Sequence, residues 1–218
     1  MQSPGYIAIE GVIGVGKTSL AHRIAARLNG ETIEEPFEEN PFLEKFYKDK
    51  EAWAFQTQLF FLLNRYKQLQ EARQTSLFAR TTICDYLFAK DTIFAHATLS
   101  DDELVLYNQI YELLTERVPK PDLTIYLQAP AAVLIERIDH RGRPYEKAID
   151  TGYLERLSEL YNQYFFHYTD SPLLVVQTEH LDFINRKSDL DLLLKEVQNM
   201  RGGTKHLIPH GSELDRDG

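Results

Sequence analysis

At 218 residues, 43% of them apolar and 26% charged, the chain is long enough to bury the core of one α/β domain. A net charge of −9 argues against a protein that tracks a nucleic-acid backbone, and the most apolar helical run, Leu59 to Leu63, is far too short to cross a bilayer; neither nucleic acid nor membrane is an expected partner. The single cysteine, Cys84, excludes an internal disulfide and a cysteine-based zinc site, and with an opening MQSPGYIAIEG that lacks the regions of a signal peptide it makes the cytoplasm the expected location.

In chain order, Tyr6 to Glu10 reads as a short buried strand, Gly11 to Gly16 as a glycine-punctuated loop and Lys17 onward as a helix. Strand, glycine loop and helix in that order are the context of a phosphate-binding P-loop. Gly11, Gly14 and Gly16 let the backbone of the loop, Val15 included, turn its N–H groups toward an anion at the N-terminus of the helix, which Ser19 helps to open. Lys17 then reaches the β and γ phosphates, and the Thr18 hydroxyl serves Mg²⁺.

Leu20, Ile24 and Leu28 mark the buried stripe of the first helix, which Asn29-Gly30 ends. A second strand, Glu31 to Glu34, is closed by Glu35-Pro36; a short helix runs from Asn40-Pro41 through Tyr47, and a long one spans Glu51 to Gln74. Thr81 to Asp85 is a β-branched run ending in an acid, as a central parallel strand does. Asp91 to Ala97 is helical, and Ser100 with Glu103 forms a capping box for a helix to about Val118. Beyond Pro119 and Pro121 come a fourth strand (Leu123 to Leu127), a helix (Pro130 to Ile138), a basic loop (His140 to Lys147), an amphipathic helix (Thr151 to Tyr168), a fifth strand (Leu173 to Val176) and a last helix (Asp189 to Met200).

Strands alternating with helices predict an α/β fold of the P-loop NTPase-like, three-layer kind: a five-stranded parallel sheet flanked by helices, with a lid loop. Residues 1–201 form the expected domain and 202–218 an expected disordered tail. Such sheets bind ligands at the carboxyl ends of their strands, which directs attention to the P-loop, Glu35, Asp85 and the loop after Leu127.

No Asn-Lys-x-Asp guanine motif accompanies the P-loop, and the chain is small for a motor ATPase, so a small-molecule kinase fits best. Several motifs resemble the deoxynucleoside kinases of the deoxycytidine and deoxyguanosine kinase type, from Tyr6 to about Phe166. Glu34-Glu35-Pro36 matches the family's Glu-Pro, which implies Glu35 as general base for the nucleoside 5′-hydroxyl; a carboxylate at a strand end facing the P-loop suits that role on physical grounds as well. Tyr47, Trp53, Gln58 and Arg65 keep the family spacing, which implies a tyrosine on the sugar 3′-hydroxyl, a tryptophan lining the pocket, and a glutamine and arginine reading the base. Gln58 and Arg65, two helical turns apart, project from one face.

Asp85 matches the family acid that holds Mg²⁺, whereas Tyr86 and Leu87 stand where the family carries arginine and serine; Lys90 and Arg80 are candidate replacements for that arginine. Asp91 resembles the base-reading aspartate, and a pairing with Arg65 favours an amino-bearing base over thymine. Arg137, Arg141, Arg143 and Glu146, in RIDHRGRPYE, resemble the lid, whose arginines contact phosphates while its glutamate reaches the sugar. The resemblance implies phosphorylation of a purine deoxynucleoside or deoxycytidine by ATP with Mg²⁺, in a homodimer packed through long helices. Two alternatives remain, a nucleoside monophosphate kinase of the thymidylate kinase kind and a nucleotide-binding regulatory subunit without turnover.

Overall fold

A computed structural model describes residues 4–75, 81–144, 146 and 149–209. The strands β1 (Tyr6–Gly11), β2 (Glu31–Ile33), β3 (Thr82–Cys84), β4 (Leu123–Gln128), β5 (Leu173–Gln177) and β6 (Thr204–Leu207) form one sheet in the order β2-β3-β1-β4-β5-β6, every neighbouring pair parallel. β1, β4 and β5 are near-continuous apolar runs buried along their length, as strands covered on both faces must be. With β3 on one side of β1 and β4 on the other, the loop after β1 emerges at the middle of the sheet.

The sheet has six strands, not five. The additional strand lies in the stretch 202–218 expected to be disordered: Thr204–Leu207 pairs in register with Leu173 to Val176, and the Leu173 N–H donates to the Gly203 carbonyl at 2.9 Å. Thr204, Lys205 and His206 are exposed, so this edge strand has no buried face and no apolar alternation to announce it. Residues 210–218 of that stretch lie outside the described residues.

The helices are α1 (Lys17–Leu28), α2 (Leu43–Lys48), α3 (Lys50–Thr75), α4 (Lys90–Thr98), α5 (Asp101–Thr115), α6 (Ala131–Arg141), α7 (Thr151–Phe166) and α8 (Lys187–Asn199), and Phe37–Glu39 forms a 3₁₀ turn. α5 starts as its sequence predicts: the Glu103 carboxylate accepts from the Ser100 N–H at 3.0 Å and from its hydroxyl at 2.8 Å, a cap worth about 1 kcal/mol. One core cluster packs β1, β4 and β5 against α1, α7 and α8. A second gathers Leu62, Leu69, Tyr86, Phe88 and Tyr107 between α3, the loop after β3, and α5.

α3 positions the site. Its buried stripe runs Ala54, Thr57, Gln58, Phe61, Leu62, Arg65 and Leu69 at helical spacing. Three members of that stripe are polar, and a buried glutamine and arginine on an apolar face require partners across the interface.

Candidate active site

The P-loop is shaped by glycine where side chains have no room. Gly14 sits at φ +87°, and a Cβ there would come 2.9 Å from the Leu134 carbonyl oxygen. Gly16 caps α1 at φ +102°, and the first turn of the helix carries no acidic residue, so its N–H groups and dipole face the cleft unopposed. The Lys17 ammonium donates to the Gly11 carbonyl at 2.7 Å; burial, then the nearby ammonium of Lys90, lowers its pKa to about 8.

Next to the loop, the Thr18 hydroxyl donates to Asp85 Oδ2, and Asp85 Oδ1 accepts from the Glu35 N–H at 2.9 Å. The register that aligns Ile33 with Cys84 thus brings the ends of β2 and β3 together and sets Asp85 between Thr18 and Glu35. No cluster of three or more His, Cys, Asp or Glu side chains arranged to hold a metal occurs among the described residues. A hydroxyl and a carboxylate alone suit Mg²⁺, which keeps water and binds phosphate oxygens rather than occupying an all-protein cage.

Glu35 lies at the centre of a buried charge cluster. Its Oε1 accepts from Arg65 Nε at 2.8 Å and also from Arg65 Nη2, and its Oε2 accepts from the Lys90 ammonium. Arg65 Nη1 in turn makes an ion pair with Asp91 Oδ1. Burial by itself raises the pKa of Glu35, but Arg65 and Lys90 outweigh it and hold the carboxyl well below the usual carboxylate range. At Asp91 burial wins over the pull of Arg65, and the pKa rises to about 6.

Leu43, Phe46, Phe61 and Phe94 form an apolar half-cleft around this cluster, with Tyr47, Thr57 and Gln58 on its wall. Gln58 Nε2 donates to the Thr98 hydroxyl at 3.3 Å. The half-cleft continues past Glu35, Lys17 and Thr18 into a wider, polar half lined by Gly16, Ser19 and the lid arginines. An apolar chamber that ends on a carboxylate and opens onto an anion cradle fits a molecule with a flat apolar body and a hydroxyl to be phosphorylated.

Comparison with known proteins agrees. Residues 7–201 match the family described as deoxynucleoside kinase. The chain belongs to the deoxynucleoside kinase family. It is 40% identical to a deoxyguanosine kinase of Bacillus subtilis, over 92% of this chain and 99% of that one. A deoxyadenosine/deoxycytidine kinase of the same organism is 31% identical over 89% and 92%. Among solved structures, deoxyadenosine kinase from M. mycoides with bound dATP superposes with a TM-score of 0.78 at 30% identity, covering 88% of this chain and 99% of that one. This deoxynucleoside kinase is therefore a phosphotransferase with the α/β fold of its relatives.

Within the kinase, Gly14, Gly16, Lys17, Thr18, Ser19, Glu35, Tyr47, Gln58, Arg65, Asp85, Arg137, Arg141, Arg143 and Glu146 all line the two halves of the cleft, and Asp91 joins them through Arg65. Gly11 and Val15 hold the loop from behind: Gly11 abuts the Leu127 carbonyl, and the Val15 N–H donates to the Val12 carbonyl at 3.2 Å. Trp53 is not brought to the cleft wall; its ring stacks on Phe42 at 5.9 Å, with the Lys45 ammonium 4.4 Å from the indole.

Arg137 spends its donors on the scaffold, giving Nη1 to the Val15 carbonyl at 3.2 Å and Nη2 to the Thr178 carbonyl at 2.8 Å, and so ties the P-loop to the end of β5. Arg141 clasps Glu146 with Nη2 at 2.6 and 2.7 Å, while the Arg143 guanidinium lies 3.8 Å from the Phe37 ring centroid. Tyr86 is fully buried in the second core cluster, with its ring centroid 5.6 Å from the Arg65 guanidinium and its hydroxyl donating to Gln68 Oε1 at 2.8 Å. Arg80 lies outside the described residues, and it is Lys90 that reaches Glu35.

Two contributors carry no motif. Phe61 falls between Gln58 and Arg65 on the same helical face, a spacing that could have announced it. Glu10, fully buried, accepts from the N–H groups of Gly11 and Leu87, each at 2.8 Å, and from the Tyr161 hydroxyl at 3.0 Å. It fastens the root of the P-loop to the loop that leads into α4 and Lys90; an acid closing an otherwise apolar strand was its only signal.

Proposed function

We propose that the enzyme transfers the γ-phosphoryl group of ATP to the 5′-hydroxyl of a purine deoxynucleoside. The observation that carries this reading is the largely buried Glu35, paired with Arg65 and Lys90, at the junction of the apolar and anion-binding halves. The 5′-hydroxyl gives its proton to Glu35 as its oxygen bonds to the γ-phosphorus, and the bond from that phosphorus to the β,γ-bridging oxygen breaks, releasing ADP. Lys17 and the loop amides hold the phosphates, and Arg141 and Arg143 offset charge on the transferring group. Thr18 and Asp85 would hold Mg²⁺, which when bound neutralises phosphate charge.

Gln58 offers both donor and acceptor to a base edge, and Tyr47 with Glu146 faces the sugar. The 40% identity to a deoxyguanosine kinase favours a purine over cytosine and thymine. A homodimer is supported by the apolar residues that α3 and α5 leave exposed, Leu63, Leu106 and Leu113 among them. Among the described residues no helix is long and apolar enough to cross a membrane, and Cys84 is free and buried, in keeping with a cytoplasmic setting.

ADP release measured with each of the four deoxynucleosides, and with their monophosphates, tests the reading. Turnover with deoxyguanosine or deoxyadenosine is expected. Consumption of monophosphates in preference would assign a nucleoside monophosphate kinase instead, and ADP release with none of them a binding subunit.

A further inference from the structure

We propose that Lys90 is a catalytic residue whose ammonium passes from Glu35 to the transferred phosphoryl group as Glu35 takes the proton from the hydroxyl. This rests on the kinase reading given above.

Four charged groups meet in the acceptor half: Asp91, Arg65 and Lys90, which are buried, and Glu35, which is largely so. With both carboxylates ionised they sum to zero. Arg65 contacts Glu35 on one oxygen and Asp91 on the other side, so it keeps an anionic partner whatever happens to Glu35. Lys90 has Glu35 alone as its ion-pair partner among the described residues. Once the 5′-hydroxyl proton moves to Glu35, that carboxyl is neutral and Lys90 is the group left with an uncompensated charge. A buried ammonium without a counter-charge is costly, which drives it toward the nearest new anion.

That anion arrives in the same step. The oxygen that loses its proton bonds to the γ-phosphorus, ADP departs, and the phosphoryl oxygens come to lie between the acceptor and the P-loop. Lys90 is placed on that line: it lines the cleft with Lys17 and Glu35, and its charge is close enough to Lys17 to be second only to burial in depressing that residue's pKa. The two ammonium groups, one from the P-loop and one from the start of α4, flank the position of the transferred group. The Phe94 ring centroid, 5.6 Å from the Lys90 ammonium, bounds its movement on the base side. Tyr86, the residue directly after Asp85, is a neutral phenol packed in the second core and supplies no positive charge.

Lys90→Met and Lys90→Arg test this, with kcat, KM and equilibrium binding of deoxynucleoside and of deoxynucleoside monophosphate measured for each against the wild type. For Lys90→Met, kcat falls about 100-fold with a deoxynucleoside KM within about threefold of wild type. The dissociation constant of the monophosphate rises about tenfold or more while that of the deoxynucleoside stays within about threefold. Lys90→Arg, which keeps the charge, recovers most of the monophosphate affinity. The proposal is overturned if Lys90→Met, shown to be folded by a cooperative thermal transition well above the assay temperature, weakens nucleoside and monophosphate by equal factors or keeps kcat within threefold, or if arginine is no better than methionine. A wild-type enzyme inactive toward every deoxynucleoside would instead bring down the kinase reading itself.

Discussion

The acceptor cluster and the lid contain the same kinds of side chain, yet they are built on opposite plans. Glu35, Arg65, Lys90 and Asp91 come from the end of β2, the middle of α3 and the start of α4, and all are largely buried. Arg141, Arg143 and Glu146 come from one short stretch at the end of α6 and just beyond it, and Arg141 pairs with the buried Glu146 five positions away while itself remaining about 35% exposed. Buried pairs between distant elements are set by the core and persist whatever the ligand, whereas local pairs at a partly solvated edge are weak and exchange partners readily. The acceptor half is thereby organised before any ligand enters. In the lid, by contrast, a phosphate must compete with the Glu146 carboxylate for the donors of Arg141.

The largest expected effect tests the organised half. Glu35→Gln keeps the shape of the side chain and removes its capacity to take a proton, so turnover should fall by about 10² to 10⁴ while ATP affinity, measured by equilibrium titration, stays near wild type. Near-normal turnover would remove Glu35 from the mechanism and leave the cluster a structural feature. A smaller effect sharpens the lid side. Glu146→Gln frees Arg141 from its carboxylate, and affinity for a non-hydrolysable ATP analogue in the absence of nucleoside should rise about fivefold, corresponding to roughly 1 kcal/mol of released competition. Weaker analogue binding would mean that Glu146 holds Arg141 in position for phosphate, and the contrast between the two regions would disappear.

The two regions also differ in how far the sequence reveals them. The P-loop, Glu35, Asp85 and the lid are local strings at strand or helix ends, so their resemblance to the family's motifs shows without the fold. Gln58 and Arg65 stood out through the family's spacing, and helical periodicity added only that they share a face. Lys90 was harder: nothing local distinguishes it from a solvated lysine, and only the packing of α4 against α3 turns its ammonium to Glu35. Arg137 shows the reverse failure, because a basic residue in a phosphate-binding stretch is spent on the carbonyls of Val15 and Thr178, a role that depends on the end of β5 lying alongside the P-loop. The sixth strand was invisible because its pairing uses backbone groups alone, and backbone pairing has no side-chain code at an exposed edge.

The smallest effect concerns whether the acceptor cluster stores its charge at a cost in stability. Burial lifts Asp91 to about pH 6 even with Arg65 beside it, against about 3.9 for an unfolded aspartate. Between those values the native state binds the proton that the unfolded state has released. The favourable contribution of Asp91 to stability is therefore complete below about pH 4 and is lost as pH rises through about 6. Asp91→Asn has no such titration. The stability of wild type relative to Asp91→Asn, from denaturant unfolding at matched ionic strength, should accordingly decline between pH 4 and about 6.5 and be flat above it. The opposite slope would mean that Arg65 stabilises the carboxylate more than burial opposes it. Asp91 would then be as firmly ionised as Glu35, and Arg65 would have two permanent anions to choose between when substrate enters.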